Sequence, residues 1–517
     1  MDYFKLLSKF YVSLHYKVKN ESSIITLVIV PKIPWELVTA QAVLLLKAEG
    51  PIVPCMLSSY RKFLLSMRCL LTDLNAKTYL VAVIGAGPAG LYAAQFLARQ
   101  GVQVVIFNRD IKPGGLAEYG IFPDKQKMRT GLMAQFHRIL HMPNIRYVGN
   151  VTIGQSGDLK LDQLRQAGFQ AFMVTTGAQK QKWLGLPGED LAGVYQANDL
   201  VFHYNRLPAF AEKQPDIGRQ VVMIGAGNVM LDIVNYLRLE RKQRLITAYA
   251  RRGPGQVKFD QQTLEPVAGC LDMEAIDHAV QSAMSLINHS PYDLEPFYEL
   301  LTKARQKSTA CNSKITLRMA FLKSPRRLLG DETGHVKAIV FESNQLVFQD
   351  DEFVAQATGE FETIPADTVI FSIGSQVDEG FGLPISQGNY VTNPAPRYPV
   401  DGISYEVYNP DLCAHCEDIF VSGWARSAGE GIVGLARKDA ERGAKAILSY
   451  LDTLKPISDD EVDAVLMRLP ALDKETVDLQ DLEILEKIEQ EIAAEKGLKS
   501  FKFGSKEAML QAIKNRS

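Results

Sequence analysis

The stretch Tyr79-Leu-Val-Ala-Val-Ile-Gly-Ala-Gly-Pro-Ala-Gly90 runs an apolar strand into a glycine-rich turn, and Leu91, Phe96 and Leu97 carry helical apolar spacing beyond it. About 140 residues later the pattern recurs as Arg219-Gln-Val-Val-Met-Ile-Gly-Ala-Gly-Asn-Val-Met230. One such loop is a weak signal, because glycine-rich turns are common. Two, each after a Val/Ile run and before a helix-compatible segment, imply two dinucleotide sites in one chain. The physical demand is the same at both. Glycine permits the tight strand-to-helix turn and lets the backbone approach a pyrophosphate, whose charge meets the positive end of the following helix. Paired sites of this kind imply that a hydride passes from one dinucleotide to the other.

The first site is expected to hold FAD. Gly85, Gly87 and Gly90 take the three fingerprint positions, with Pro88 and Ala89 between them. A second strand, Val102-Gln-Val-Val-Ile-Phe107, follows. Dinucleotide folds usually end this strand with an acidic residue that accepts the ribose hydroxyls. Here the position is Asn108, with Asp110 two residues on, and an asparagine can still bond a ribose hydroxyl. The second site, with Gly225, Gly227, Asn228 and Val229 in its turn, is expected to hold NADPH in preference to NADH. Its strand Leu245-Ile-Thr-Ala-Tyr-Ala250 runs straight into Arg251-Arg-Gly-Pro254. Where an NAD site would place a carboxylate stand two guanidiniums, suited to bidentate contact with a 2′-phosphate. Met230 occupies the place where Gly or Ala usually lets helix and strand pack closely, which predicts a slightly displaced helix.

At 517 residues the chain can bury two or three full cores, and 57 basic against 59 acidic residues argue against a nucleic-acid partner. Six cysteines do not make a disulfide scaffold, and a reducing, cytoplasmic setting fits best. The one Cys-x-x-Cys, Cys413-Ala-His-Cys416, cannot complete a tetrahedral zinc site by itself and lies far along the chain from either glycine loop. No metal site is expected. Residues 1–76 read as an N-terminal extension, poorly ordered, with Met56 or Met67 as candidate natural starts. Its apolar run Ile24-Ile-Thr-Leu-Val-Ile-Val30 is too short and too soon broken by Pro31, Lys32, Pro34 and Glu36 to cross a bilayer, so no transmembrane segment is expected.

Further segments follow in a telling order: Pro113-Gly-Gly-Leu-Ala-Glu-Tyr-Gly-Ile-Phe-Pro-Asp-Lys125, Gly149-Asn-Val-Thr-Ile-Gly154, Thr175-Thr-Gly-Ala178 and Leu186-Pro-Gly-Glu-Asp190. Then come Gly225-Ala-Gly-Asn-Val-Met-Leu-Asp232, Arg251-Arg-Gly-Pro-Gly-Gln-Val257, Ser324-Pro325, Ser372-Ile-Gly374, Gly423-Trp424 and Gly431-Ile-Val433. From about residue 79 to the C-terminus, the chain resembles the adrenodoxin-reductase-type ferredoxin–NADP reductases. The resemblance implies FAD contacts at Ala89, Asn108, Leu116, Ile153, Gly177, Trp424 and the backbone of Gly431, Ile432 and Val433. It implies NADPH contacts at Gly227 to Met230, Arg251, Arg252 and Gly431. No catalytic side chain is assigned, because the cofactors carry the chemistry and the protein supplies orientation and electrostatics.

Three departures from the family stand out. Lys125 replaces a histidine near the flavin. A glutamate near the nicotinamide maps to Thr263, with Glu265 close by. The arginine-rich strip that the family offers to an acidic ferredoxin reads Ser290-Pro-Tyr-Asp-Leu-Glu-Pro296, mildly acidic, so docking of a ferredoxin-like electron-transfer protein is expected to be weak.

The expected fold is α/β: two interleaved Rossmann-like domains with parallel sheets, plus a helical C-terminal segment. The FAD domain is expected at 77–180 and again from 366, the NADPH domain at 181–365, and the helical segment within 366–517. The leading function is a flavoprotein moving a hydride from NADPH to FAD and electrons onward to a small redox protein. Two alternatives are an electron-input subunit similar to the glutamate synthase small chain and a flavin-holding interaction module without turnover. The first would carry a cysteine-rich domain ahead of the FAD domain, where this chain has only Cys55 and Cys69.

Overall fold

A computed structural model describes residues 11–18, 21–28, 78–287, 292–308, 314–350, 352–429 and 433–516. The chain divides into two units, Met1–Ala76 and Lys77–Ser517. In the first, Tyr11–Val18 pairs antiparallel with Glu21–Val28. The expectations for the rest of 1–76, the candidate starts Met56 and Met67 included, lie outside the described residues.

The apolar run before the first glycine turn becomes the strand Leu80–Ile84, buried along its whole length. Its side chains alternate between two cores: Val81 and Val83 enter one, Leu80, Ala82 and Ile84 the other. An uninterrupted apolar strand is what a sheet covered on both faces requires. Six strands line up in the order Glu406–Asn409, Ala414–Val421, Ala171–Val174, Leu80–Ile84, Gln103–Asn108, Ile145–Gly149. All pairings are parallel except that of the edge strand Glu406–Asn409.

The second fingerprint strand, Gln220–Ile224, lies at the centre of a five-stranded parallel sheet between Arg244–Tyr249 and Thr368–Phe371, with Ile315–Ala320 and Val194–Gln196 at the edges. Val221 and Met223 face one core, Val222 and Ile224 the other. This sheet takes in Thr368–Phe371, past the 365/366 boundary read from the sequence. Between Ile315–Ala320 and Thr368–Phe371 the chain makes an antiparallel meander of Lys323–Gly330, Val336–Gln349 and Glu352–Pro365.

The chain crosses between the two parallel sheets twice, and the crossings pair with each other: Gln181 opposes Ser375 and Lys180 opposes Gln376, antiparallel. Helices Leu479–Glu495 and Lys506–Lys514 close the C-terminal segment against the Ile111 region. Among the described cysteines, Cys270 is disulfide-bonded while Cys413 and Cys416 are free. No helix among the described residues is long and apolar enough to cross a membrane.

Candidate functional site

Both glycine turns sit at the carboxyl ends of central strands, each opening a 12-residue helix: Pro88–Arg99 at the first and Asn228–Leu239 at the second. At the first, Gly85 has φ +103°, and a β-carbon there would lie 2.6 Å from the Thr175 carbonyl oxygen. At Gly90 a β-carbon would come within 1.9 Å of the Gly85 carbonyl oxygen, so any side chain would push the helix off the strand. Gly87 is the reverse case. It is the helix N-cap, and nothing lies within 4 Å of where its β-carbon would be. Open space in front of free helix-start amides is the shape a pyrophosphate needs.

The loop after the next strand folds back on this turn. Gly114 N–H donates to the Ala86 carbonyl at 2.7 Å, and a β-carbon on Gly115 would stand 3.1 Å from Gly87 Cα. Leu116 then begins the short helix Leu116–Tyr119. Asn108 is committed at both ends of its amide. Oδ1 accepts from Ala86 N–H at 3.0 Å, and Nδ2 donates to the carbonyls of Asp110 and Lys112 at 2.8 and 3.1 Å. It is therefore a strut that fixes the loop to the glycine turn. Ile153 is buried beside Leu159, and Gly177 follows the strand Ala171–Val174 with φ +71°.

The turn at Gly423 closes the first site from far along the chain. Its φ is +64°, and a β-carbon there would lie 2.6 Å from Ala89 Cβ. That contact brings the half-buried Trp424 to the mouth of the first fingerprint. Asp439 holds the turn, accepting from Gly423 N–H at 2.7 Å, Ser422 Oγ at 3.0 Å, Tyr405 Oη at 3.0 Å and Arg426 Nη2 at 2.6 Å. Burial, then the Asp439 charge, pushes the Tyr405 hydroxyl well above its ordinary range, so it stays a donor. The helix carrying Asp439 begins at Val433, while Gly431 and Ile432 lie outside the described residues.

The second turn repeats the first with one change. Gly225 has φ +111°, with the Ser372 carbonyl oxygen 2.3 Å from a would-be β-carbon, and Gly227 again faces open space. Met230 is fully buried in the core beneath. The first helical bond is longer here: Leu231 N–H to the Gly227 carbonyl is 3.4 Å, against 3.0 Å for Leu91 to Gly87. Val229 is exposed, and Asn228 pairs reciprocally with Asp260, Nδ2 to carboxylate at 2.7 Å and Asp260 N–H to Oδ1 at 2.9 Å.

Thr263, at the position of the family glutamate, is turned into Asp260, donating through N–H at 2.8 Å and Oγ1 at 3.0 Å. Burial alone would raise the Asp260 carboxyl, but the bonds from Thr263 and Asn228 outweigh it and hold the group below its usual range. Asp260, which the sequence did not single out, is thus a carboxylate bonded to the second turn through Asn228. Arg251 and Arg252 are both exposed just past the end of Arg244–Tyr249, and among the described residues neither guanidinium is held in an ion pair.

Residues from the two domains meet beside these turns. Lys125 reaches Asp232 at 3.7 Å, and Asn235 Nδ2 donates to Asp124 at 3.4 Å. Burial pushes the Asp232 carboxyl up, and the neighbouring ammonium of Lys125 opposes it.

A family model described as pyridine nucleotide-disulphide oxidoreductase matches residues 79–289. NADPH-ferredoxin reductase FprA of Mycobacterium leprae is 29% identical over 413 residues, covering 72% of this chain and 84% of that protein. The mitochondrial NADPH:adrenodoxin oxidoreductase of Arabidopsis thaliana is 26% identical over 447 residues, covering 79% of this chain and 88% of its own length. Over most of its length the chain is similar to adrenodoxin-reductase-type reductases. A solved structure of Mycobacterium tuberculosis FprA in complex with NADPH superposes with a TM-score of 0.69 at 24% identity, covering 85% of this chain and 99% of that one, which places the fold.

Proposed function

We propose that this protein is an FAD-dependent NADPH oxidoreductase that delivers electrons to a small iron–sulfur protein. The observation that carries this is the pair of open glycine turns, each at a helix start, with Arg251–Arg252, in no ion pair among the described residues, beside the second. When bound, the flavin and nicotinamide supply the redox chemistry. The chain's residues do the rest. Backbone amides following Gly87 and Gly227 receive the two pyrophosphates, while Arg251 and Arg252 receive a 2′-phosphate. Ala89, Leu116, Ile153, Gly177, Trp424 and Val433 shape the flavin side, and Asp439 keeps Trp424 in place. Because Asn108 is spent as a strut, the ribose hydroxyls on that side must be met largely by backbone or water. Residues 77–180 with 372–455 form the FAD domain and 181–371 the NADPH domain. A cytoplasmic location is proposed from the sparse cysteine content, against which the disulfide at Cys270 counts, and fractionation of the native host tests it.

The purified protein is expected to be yellow and to bleach anaerobically on addition of NADPH. A colourless protein that takes up no FAD on reconstitution overturns the proposal.

The acceptor side carries its own expectation. Asp293 and Glu295 are exposed at the start of the helix Glu295–Lys307, and Tyr292 Oη accepts from Gly255 N–H at 3.2 Å, which sets this acidic start beside the Arg251–Arg252 loop. An acidic ferredoxin steered by a basic strip loses rate as salt rises, since screening at ~0.15 M acts over roughly 8 Å. Ferredoxin-mediated reduction of a reporter protein should therefore be slow here and depend weakly on salt. Fast turnover steeply suppressed by salt would place a basic docking face elsewhere, such as Arg238, Arg241 and Lys242.

A further inference from the structure

The helix Gln126–Leu140 carries His137 in its last turn and His141 as its C-cap, one turn apart and on one face. Their rings lie side by side, centroids 4.0 Å apart. Opposite them, the C-terminal helix Leu479–Glu495 presents Glu483. Its Oε1 is 2.6 Å from His141 Nε2 and 3.9 Å from His137 Nε2. One ligand atom from each of the three residues falls within 4.8 Å of the others, and all three side chains are open to solvent.

The orientation of His141 is fixed from behind. Its Nδ1 lies 2.8 Å from the His137 carbonyl oxygen, an atom that can only accept, so Nδ1 carries the hydrogen and Nε2 is the nitrogen turned to Glu483. Metal-ligating histidines are commonly oriented in this way, through a bond from the other ring nitrogen to a carbonyl. A nitrogen and a carboxylate oxygen at 2.6 Å share a proton when no metal is bound. The second imidazole, 3.9 Å from the same oxygen, adds a further nitrogen, so that a metal ion can take the proton's place. A zinc ion with Zn–N and Zn–O near 2.0–2.2 Å sets its tetrahedral ligands about 3.3–3.5 Å apart. The observed 2.6 and 3.9 Å straddle that spacing, so shifts of less than an ångström at exposed side chains close the site.

We propose that His137, His141 and Glu483 form a zinc site that clamps the C-terminal helix to the FAD domain. Three protein ligands leave the fourth tetrahedral position to water. The ion ties Leu479–Glu495 to the helix that begins directly after the Pro123–Lys125 loop beside the second domain. The site uses none of the residues assigned to the two cofactors and does not depend on their assignment.

The test uses the FAD-loaded protein carrying Cys413→Ser and Cys416→Ser, which removes the other soft ligands in view. Zinc affinity is measured by competition with a chromogenic chelator. Hydrogen exchange over residues 479–495 is followed with and without zinc. Zinc is expected to bind in a one-to-one ratio and to slow exchange in that helix. His137→Ala with His141→Ala, and separately Glu483→Gln, should each lower affinity by more than the roughly 10–100-fold that loss of an outer-shell partner costs. Protection should vanish with it, while flavin content stays unchanged. Equal zinc affinity in all variants, or binding that leaves exchange over 479–495 untouched, overturns the proposal.

Discussion

Replacing Arg251 and Arg252 together with alanine is expected to weaken NADPH use by about 10- to 100-fold and to leave NADH use nearly unchanged. A hydrogen bond to a charged group is worth roughly 1.5–3 kcal/mol, and each 1.4 kcal/mol is about tenfold in affinity. The two guanidiniums are exposed, and among the described residues neither is drawn away by a carboxylate, so their removal should cost the fold little. Steady-state kinetics with both cofactors give the answer. Equal losses for NADPH and NADH would mean that the arginines hold structure instead of phosphate.

The second large effect is expected at Glu118, which is buried in the helix that follows the Gly114–Gly115 turn. Its Oε1 lies 2.8 Å from Lys502 Nζ and 3.5 Å from Lys112 Nζ, both nearly buried, and Lys112 also bonds Glu489. Removing one partner of a buried charge pair typically costs about 3–5 kcal/mol, because the remaining charge is stranded. Glu118→Gln should therefore lower the unfolding free energy by that amount and release FAD at lower temperature, read by flavin fluorescence during a melt. A loss below about 1 kcal/mol would show that solvent reaches these lysines readily.

The pH dependence has a definite sign. Burial pushes the Lys502 ammonium down from 10.5 to about 8, against the pull of Glu118. Between those values the unfolded chain holds the proton and the folded chain has released it, so this group's share of stability rises with pH across the window. Without Glu118 the release starts at lower pH, and the penalty of the variant should shrink as the solution becomes alkaline.

What could be read from the sequence is what is local. A strand, a glycine turn and a helix lie within a dozen residues of each other, so both fingerprint turns and the position of the Arg251–Arg252 pair at a strand end were legible. What escaped depends on partners far apart in the chain. Asp439 holds the Gly423 turn against Ala89, Asp260 meets Asn228 from 32 positions along the chain, and His137 meets Glu483 from another helix altogether. Asn108 shows the limit from the other side. Its position was read correctly as the end of the second strand, but whether an amide faces a ribose or its own loop is decided by Lys112 and Ala86, which a strand pattern does not report.

The paired crossings at Lys180–Gln181 and Ser375–Gln376 bear on how the chain is made. Val174, at the end of the fourth strand laid down in the first sheet, finds its neighbour in Val421, whereas every strand of the second sheet is in hand once Phe371 has been synthesised. Domains generally fold as units while synthesis proceeds. The half that begins later in the sequence therefore completes first, and the earlier half waits as an open sheet edge until its last strands emerge. During that interval the edge of Ala171–Val174 is an exposed template for mispairing. Errors in assembling this protein should gather there, in chains stalled or truncated between Phe371 and Val421.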